Sequence, residues 1–326
     1  MKRALVTGVN GQDGSYLAEL LLDRGYEVHG VVRRDALEDP AHRLVNISGI
    51  QDRLRLHVGA LDNPLSIYKI VSDVKPDECY HLASSSFVSY NFEDEASIVA
   101  SNFVATHSLL SALKELAPAC RTYFAGSSEM FGAAKNSPQS EATPFNPRSV
   151  YGISKLAAFH LARNYREHHR MFIAAGILYN HESPRRGFQF VTRKISSSAA
   201  RIKLGLAQGL ALGNLDARRD WGYAPDYVKA MYAMLQQPKP ADYVIATGVS
   251  HSVRDFLRIA FAAVNLDFER YVTVDQSYFR PSEAVELRGD ASLARRDLGW
   301  APSKRFEEIV AEMVESELRA LQDGRR

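Results

Sequence analysis

The sequence has few of the residues that form disulfide frameworks or hold metal ions. Only two cysteines, Cys79 and Cys120, occur among 326 residues, and they lie in separate apolar segments. A disulfide-stapled fold is therefore excluded, and a reducing, cytoplasmic location is expected. No histidines and cysteines are grouped at the spacing of a metal site, so we expect no metal.

An excess of one charge is missing as well. The formal net charge is +2, which gives no reason to expect nucleic acid or an anionic membrane as a partner. We see no apolar run of the length expected for a membrane span. The first residues enter a strand pattern directly, so we expect neither a membrane segment nor a signal peptide.

What is present is an ordinary globular composition on a long chain. Hydrophobic residues make up 46% and charged residues 24% of the sequence. A chain of this length can bury a large core and form two closely packed lobes.

A glycine-rich loop follows the first predicted strand. Ala4 to Thr7 form a short apolar run, three glycines follow at a spacing of three, and a helix is predicted from Ser15 to Arg24. Strand, glycine loop and helix together indicate a dinucleotide site, because a pyrophosphate can approach the helix N-terminus closely. The loop residues we assign to the cofactor are Gly8, Asn10, Gly11, Gln12, Asp13 and Gly14.

The second predicted strand, residues 27–32, ends in Arg33 and Arg34. In a dinucleotide fold this position meets the adenosine ribose, where an acidic residue selects NAD and an arginine pairs with the 2′-phosphate of NADP. The two arginines therefore predict NADP.

Strands and helices alternate through the first half of the chain. Further strands are predicted at 54–59, 78–83, 121–126 and 173–178, with a long helix at about 96–116. This alternation predicts a parallel sheet with helices on both faces, in which ligands bind at the carboxyl ends of the strands. Ser84 to Ser86, Ser127 and Glu129 follow such ends and should meet the glycine loop in one crevice.

Tyr151 and Lys155 are separated by one helical turn and share a helix face. An ammonium group near a phenol favours the ionised phenolate, so Lys155 is expected to lower the pKa of Tyr151. Such a phenol can take a proton from a sugar hydroxyl. Basic residues from Arg185 to Arg219, and Arg280 beyond them, are scattered among loops, which suits a diphosphate ligand better than a long polymer.

Several motifs together give the chain a family resemblance over nearly its whole length. They are GVNGQDGSY (8–16), GSSEMFG (126–132), PRSVYGISK (147–155), NHESPRRG (180–187), FVTRKI (190–195), RDWG (219–222) and YFRPSE (278–283). With them the chain resembles the GDP-mannose 4,6-dehydratases, nucleotide-sugar enzymes of the extended short-chain dehydrogenase group. The resemblance implies a Rossmann-type doubly wound parallel sheet and a smaller α/β substrate-binding lobe.

The resemblance also implies roles for individual residues. Tyr151 would be the base for the sugar C4 hydroxyl, Lys155 would hold the nicotinamide ribose, Ser127 would bind the C4 oxygen, and Glu129 would be the acid and base of the elimination. Further cofactor contacts would be Leu61, Leu82, Ala83, Ser84, His181 and Arg186. The substrate would be held by Ser86, Asn180, Lys194, Leu212, Gly213, Arg219, Arg280 and Glu283, with Glu283 facing guanine.

The implied reaction is internal hydride transfer from C4 to C6 through NADP, with loss of water, which makes the enzyme a lyase. The implied cofactor domain is 1–178 with 215–248, and the GDP-sugar lobe is 179–214 with 249–326. Alternatives are dehydration of another GDP-sugar such as a GDP-heptose, a 4-keto-6-deoxysugar reductase or 4-epimerase, and a non-catalytic NADP sensor.

Three departures from the family pattern bear on these expectations. Ala60 replaces an aspartate that contacts adenine, and Ser84-Ser85-Ser86-Phe87 replaces Ala-Gln-Ser-His beside the sugar. The loop after Arg34 lacks a serine-rich run that helps relatives join as tetramers, so a homodimer is favoured over a homotetramer.

Overall fold

The computed structural model describes residues 1–61, 63–86, 92–279 and 286–324. The strands are β1 Arg3–Thr7, β2 Glu27–Val32, β3 Arg55–Val58, β4 Glu78–His81, β5 Arg121–Ser127, β6 Ile173–Leu178, β7 Asn180–Glu182, β8 Leu210–Leu212, β9 Arg218–Tyr223, β10 Asp242–Ile245, β11 Ser250–Ser252 and β12 Val272–Val274. The helices are α1 Gln12–Asp23, α2 Arg34–Glu38, α3 Pro40–Arg43, α4 Pro64–Val74, α5 Phe92–Val99, α6 Ala105–Leu116, α7 Val150–His168, α8 Val191–Lys203, α9 Ala224–Gln236, α10 Val253–Ala262, α11 Ser292–Leu298 and α12 Phe306–Gln322.

Seven parallel strands form the main sheet, in the order β10-β6-β5-β4-β1-β2-β3. The chain builds outward from β1 to β3 and then crosses to β4 on the other side of β1. The crossing leaves a crevice outside the carboxyl ends of β1 and β4, which is where doubly wound sheets bind ligands. The predicted fold class is confirmed.

The covering helices form because their apolar residues recur at helical spacing. In α4, Ile67, Ile70, Val71 and Val74 are all buried on one face. Asn63 caps the start of α4 by accepting hydrogen bonds from the backbone N–H groups of residues 65 and 66. Buried residues on the two faces of the sheet form two hydrophobic clusters.

The predicted helix at 96–116 is longer and irregular in the structure. It begins with α5, continues through one π-helical turn at Ala100–Val104, and ends as α6. Among the described residues, the continuous stretch Glu93–Leu116 is long and apolar enough to span a membrane by length and composition alone, which the sequence did not lead us to expect. Half of its apolar window is buried in the protein, where α6 packs on α4 and α7.

The second lobe has its own hydrophobic cluster, formed mainly by α8, α10 and α12. A three-stranded sheet, β11-β9-β7, and the parallel pair β12-β8 accompany these helices. Arg193 at the start of α8 forms a fully buried ion pair with Glu317 of α12. The same guanidinium donates a hydrogen bond to the carbonyl of Pro184, so α12 is connected through α8 to the segment that follows β7.

Candidate active site

A cleft of about 2160 Å³ lies at the carboxyl ends of the main-sheet strands. Its walls are the glycine loop, the ends of β2, β4 and β5, the start of α7, the segment after β6, and parts of the second lobe. Ordinary small-molecule pockets measure about 300–1,000 Å³. This cleft therefore has room for two nucleotide-sized ligands.

The glycine loop is shaped by close backbone approaches. Gly8 has a φ of +72°, a conformation that side chains disfavour. A Cβ added to Gly14 would lie 2.2 Å from the Gly8 carbonyl oxygen, so only glycine fits there. Gly11 precedes α1 without a side-chain cap, and the helix N-terminus therefore presents its N–H groups to the cleft.

The end of β2 brings more residues to the cleft than the sequence indicates. Arg33 and Arg34 are exposed and line it, and Arg43 and Asn46 join them from the short helical turns that follow. Asn10 donates a hydrogen bond to the Arg43 carbonyl at 3.0 Å, and Asn46 donates one to the Asn10 carbonyl at 3.1 Å. These long-range contacts carry no sequence signal.

Tyr151 and Lys155 are both buried on α7, which Ser149 caps by accepting a hydrogen bond from the Gly152 N–H at 3.1 Å. The Lys155 ammonium donates a hydrogen bond to the Ala125 carbonyl at 3.0 Å. Burial lowers the pKa of Lys155 to about 8, because a charged ammonium is costly in a dry site.

The pKa of Tyr151 moves in the direction opposite to that expected from the Tyr-Lys spacing. Burial raises the pKa to about 12, and the charge of Glu129 adds to that rise. A hydrogen bond from Ser127 and the charge of Arg186 act in the opposite sense. Burial prevails because a phenolate inside the protein loses much of its hydration.

Ser127 and Glu129 lie where β5 ends and a 3₁₀ turn begins. The Ser127 hydroxyl accepts a hydrogen bond from the Glu129 N–H at 3.2 Å, and both side chains line the cleft. A Cβ on Gly152 would lie 2.6 Å from the Glu129 carbonyl oxygen. The first turn of α7 therefore packs directly on the Glu129 backbone.

A buried asparagine that the sequence did not single out connects the loop after β4 to α7. Asn102 accepts a hydrogen bond from the Ser84 hydroxyl at 2.7 Å and donates one to Ser154 at 3.0 Å. Ser84 thereby acquires a fixed position beside α7. The neighbouring residues Leu61, Leu82, Ala83 and Ser86 also line the cleft.

The buried His181 forms an ion pair with the half-buried Asp13, between the second lobe and α1. His181 Nε2 lies 2.8 Å from an Asp13 carboxylate oxygen, and Nδ1 lies 2.7 Å from the Tyr179 carbonyl oxygen. Both partners only accept hydrogen bonds, so both ring nitrogens donate and the imidazole is positively charged. Burial opposes this charge, but pairing with Asp13 outweighs it and raises the pKa of His181. The pKa of Asp13 is lowered, because the attraction of His181 likewise outweighs burial.

The remaining predicted site residues also line the cleft; Arg186 is predicted to contact the cofactor and the others the substrate. Arg186 contacts the Glu182 carboxylate at 3.2 Å and stacks over Phe190, with 3.6 Å between its guanidinium carbon and the ring centre. Lys194 donates a hydrogen bond to the Ala211 carbonyl at 2.9 Å. Asn180, Leu212, Gly213 and Arg219 line the cleft as well. Arg280 and Glu283 lie outside the described residues.

Within the described part of the chain, no three histidine, cysteine or acidic side chains are grouped as ligands for a metal ion.

Comparison with known proteins identifies a family. The sequence profile described as "GDP-mannose 4,6 dehydratase" matches residues 5–313. GDP-mannose 4,6 dehydratase 1 of Arabidopsis thaliana is 48% identical, with 97% of this chain and 90% of that protein covered. The GDP-mannose 4,6 dehydratase of Homo sapiens is 44% identical, with 97% and 91% covered.

Solved structures share the fold at lower identity. The dTDP-glucose 4,6-dehydratase of Bacillus anthracis, solved in complex with NAD, has a TM-score of 0.85 at 18% identity, with 100% of both chains covered. RMD from Pseudomonas aeruginosa, complexed with NADPH, has a TM-score of 0.81 at 23% identity, with 98% of this chain and 99% of that chain covered. At these identities the likeness concerns the fold.

Proposed function

The chain belongs to the GDP-mannose 4,6-dehydratase family, and we propose that it converts GDP-mannose to its GDP-4-keto-6-deoxy form with NADP as an internal hydride carrier. The observation that carries this proposal is the pairing of Glu129 and Tyr151 in one cleft. They are near enough for the Glu129 charge to raise the pKa of the Tyr151 phenol. A phenol and a carboxylate beside one sugar ring supply the two proton transfers that dehydration needs.

The first proton transfer belongs to Tyr151. The phenol oxygen takes the proton of the sugar C4 hydroxyl, while the Ser127 hydroxyl hydrogen-bonds the C4 oxygen and keeps it in place. The Lys155 ammonium favours the phenolate that starts this step. Bound NADP would supply a redox centre that accepts hydride from C4 and returns it to C6, and the proton taken by Tyr151 returns to C5, so neither the cofactor nor the tyrosine is consumed.

The second proton transfer belongs to Glu129. A ketone at C4 acidifies the C5 proton, which the Glu129 carboxylate removes. The same carboxyl then protonates the departing C6 hydroxyl, which leaves as water. A simple 4-ketosugar reductase or epimerase has no step that needs this carboxyl, and for this reason the proposal is dehydration.

The structure offers a physical fit for a dinucleotide. Gly14 could not carry a side chain against the Gly8 carbonyl, and the uncapped start of α1 suits a pyrophosphate. Arg33 and Arg34 support NADP over NAD, since both could pair with a 2′-phosphate. The residues we propose to hold the cofactor are Gly8, Asn10, Gly11, Gln12, Asp13, Gly14, Arg33, Arg34, Leu61, Leu82, Ala83, Ser84, Tyr151, Lys155, His181 and Arg186.

The GDP-sugar would bind where the second lobe meets this cleft. Lys194 and Arg219 supply positive charge for the diphosphate, and Asn180, Leu212 and Gly213 supply the surrounding wall. Ser86, Ser127 and Glu129 would face the sugar. Arg280 and Glu283 complete the proposed set on sequence grounds.

We propose the division already stated, in which 1–178 with 215–248 binds the cofactor and 179–214 with 249–326 binds the GDP-sugar. The two free, buried cysteines support a reducing cytoplasmic location.

The exposed apolar side chains of Val99, Val104 and Ile153, on or beside the adjacent helices α5 and α7, support a homodimer. Light scattering of the purified protein would distinguish monomer, dimer and tetramer.

The decisive experiment incubates the protein with GDP-mannose and NADP+ and follows product mass and nicotinamide absorbance. We expect loss of one water with no lasting accumulation of NADPH. Glu129→Gln keeps the shape of the side chain and should lower kcat by about 10²–10⁴-fold, the usual contribution of acid–base catalysis. Net NADPH production by the wild type, or full dehydration by Glu129→Gln, would contradict the proposal.

A further inference from the structure

Alternate residues of the segment 181–185 contact one face of α1. His181 pairs with Asp13, the Ser183 hydroxyl donates a hydrogen bond to Gln12 at 2.9 Å, and Arg185 reaches the next turns of the helix. The segment begins in β7, where side chains alternate between two sides with a period of two. Residues 181, 183 and 185 therefore face α1, and Asn180 on the other side of the alternation lines the cleft, as His181 and Arg185 also do.

Arg185 makes the most extensive of these contacts. Its guanidinium lies 2.6 Å from a Glu19 carboxylate oxygen, donates to the Ser15 hydroxyl at 3.0 Å, and stacks 4.0 Å from the centre of the Tyr16 ring. The segment contacts five residues of α1, of which Gln12, Ser15, Tyr16 and Glu19 have the spacing of one helix face; Asp13 lies one turn before Tyr16. A planar guanidinium can fork and stack in this way, whereas a lysine cannot.

From these contacts we propose that Arg185 is a positioning residue that sets the GDP-sugar site against α1. Through Glu19, Ser15 and Tyr16 it fixes the segment carrying Asn180 and Arg186, and thereby joins the dinucleotide helix and the nucleotide-sugar wall into one unit. The role rests on the proposed function for the identity of the substrate. Arg185 itself touches no reacting atom, since its charge is already engaged by Glu19.

The expected signature of a positioning role is a change in KM that exceeds the change in kcat. Arg185→Ala should raise the KM for GDP-mannose about tenfold, since a charge-assisted hydrogen bond of about 1.5 kcal/mol corresponds to that factor. The same variant should change kcat less than about threefold, because Tyr151, Lys155 and Glu129 are held by other contacts. Arg185→Lys should have a KM between those of the wild type and Arg185→Ala, because lysine keeps the charge but loses the forked hydrogen bonds and the stacking.

A double-mutant cycle tests whether Arg185 acts through its ion pair with Glu19. Glu19→Gln should reproduce most of the effect of Arg185→Ala, and the two changes together should be no worse than Arg185→Ala alone. The matched control is Arg319→Ala, which removes an arginine paired with Glu315 on the exposed surface of α12. It should leave every constant unchanged.

Binding measurements separate this proposal from the proposed function. GDP affinity by calorimetry, in the presence of NADP+, should fall about tenfold in Arg185→Ala whether or not GDP-mannose is the true substrate. Circular dichroism and the thermal midpoint identify a variant that fails to fold, in which case Arg185→Lys and Glu19→Gln provide the test. Additive effects of Arg185→Ala and Glu19→Gln, or unchanged GDP affinity in the folded variants, would overturn the proposal.

Discussion

Lys155 is held in a site that disfavours its charge, so replacing it should stabilise the protein while stopping turnover. Its side chain is buried on α7 and donates a hydrogen bond to the Ala125 carbonyl. Methionine has a similar length and carries no charge, so Lys155→Met removes the ammonium and leaves the packing nearly filled. The variant should lose activity, because in the proposed reaction the ammonium holds the nicotinamide ribose.

The expected gain in stability follows from the pKa of Lys155. A fall from 10.5 to about 8 corresponds to about 3 kcal/mol of unfavourable charging in the folded state, at 1.36 kcal/mol per pKa unit. The lost hydrogen bond to Ala125 offsets about 1 kcal/mol of this. The net expectation is that Lys155→Met raises the free energy of unfolding by about 2 kcal/mol at neutral pH.

The pH dependence gives a second measure with a defined sign. The unfolded chain holds a proton on Lys155 up to a pH of about 10.5, whereas the folded chain holds it only up to about 8. Within this window the unfolded state binds more protons, so wild-type stability should rise with pH relative to that of Lys155→Met. In urea unfolding, the free energies of unfolding of the two proteins should therefore differ widely at about pH 7 and only slightly at about pH 10.

Lys194→Met is the matched control for this experiment. Lys194 also donates a hydrogen bond to a carbonyl, that of Ala211, and lies over the Tyr278 ring, but it is only half-buried. Its replacement should not stabilise the protein. A Lys155→Met variant that is less stable than wild type, or a difference that does not narrow with pH, would refute the reasoning.

Two further sets of substitutions test the proposed contact with the NADP 2′-phosphate and the packing of α7 against Glu129. Replacing Arg33 and Arg34 with serine should lower the preference for NADPH over NADH by about tenfold or more, because charge-assisted pairs with the 2′-phosphate are lost. Fluorescence titration with both reduced cofactors measures the ratio, and an unchanged ratio would show that neither arginine faces that phosphate. Gly152→Ala places a Cβ 2.6 Å from the Glu129 carbonyl oxygen and should lower kcat by about 10²-fold through misplacement of Glu129. Gly49→Ala, with no atom within 4 Å of the added Cβ, is the control for steady-state kinetics, and equal kcat values in the two variants would argue against that packing constraint.

The sequence predicted the features that are encoded locally. The glycine spacing before α1, the apolar runs of the main sheet, and the Tyr151–Lys155 pair each depend on neighbouring residues. Together they placed the cleft at the carboxyl ends of the strands.

Features that depend on distant partners could not be predicted in the same way. Asn102 connects to Ser84 and Ser154 only because a π-helical turn aims it at both. Arg43 reaches the cleft because the short helices after β2 turn the chain back towards it, and no periodic sequence pattern predicts that turn. The pKa of Tyr151 rises because the assembled site is dry, and burial is a property of the whole fold rather than of a four-residue spacing.

The buried pair between Arg193 and Glu317 bears on the order in which the two ligand sites mature during synthesis. Arg193 precedes Lys194 at the start of α8, and its buried ion pair with Glu317 can form only after residue 317 has been synthesised. The strands of the main sheet and the glycine loop emerge well before that. The nascent chain should therefore form the α1 end of the cleft early and the proposed GDP-sugar site last. Ribosome-stalled chains that stop short of Glu317 should bind to an NADPH affinity column but not to a GDP affinity column.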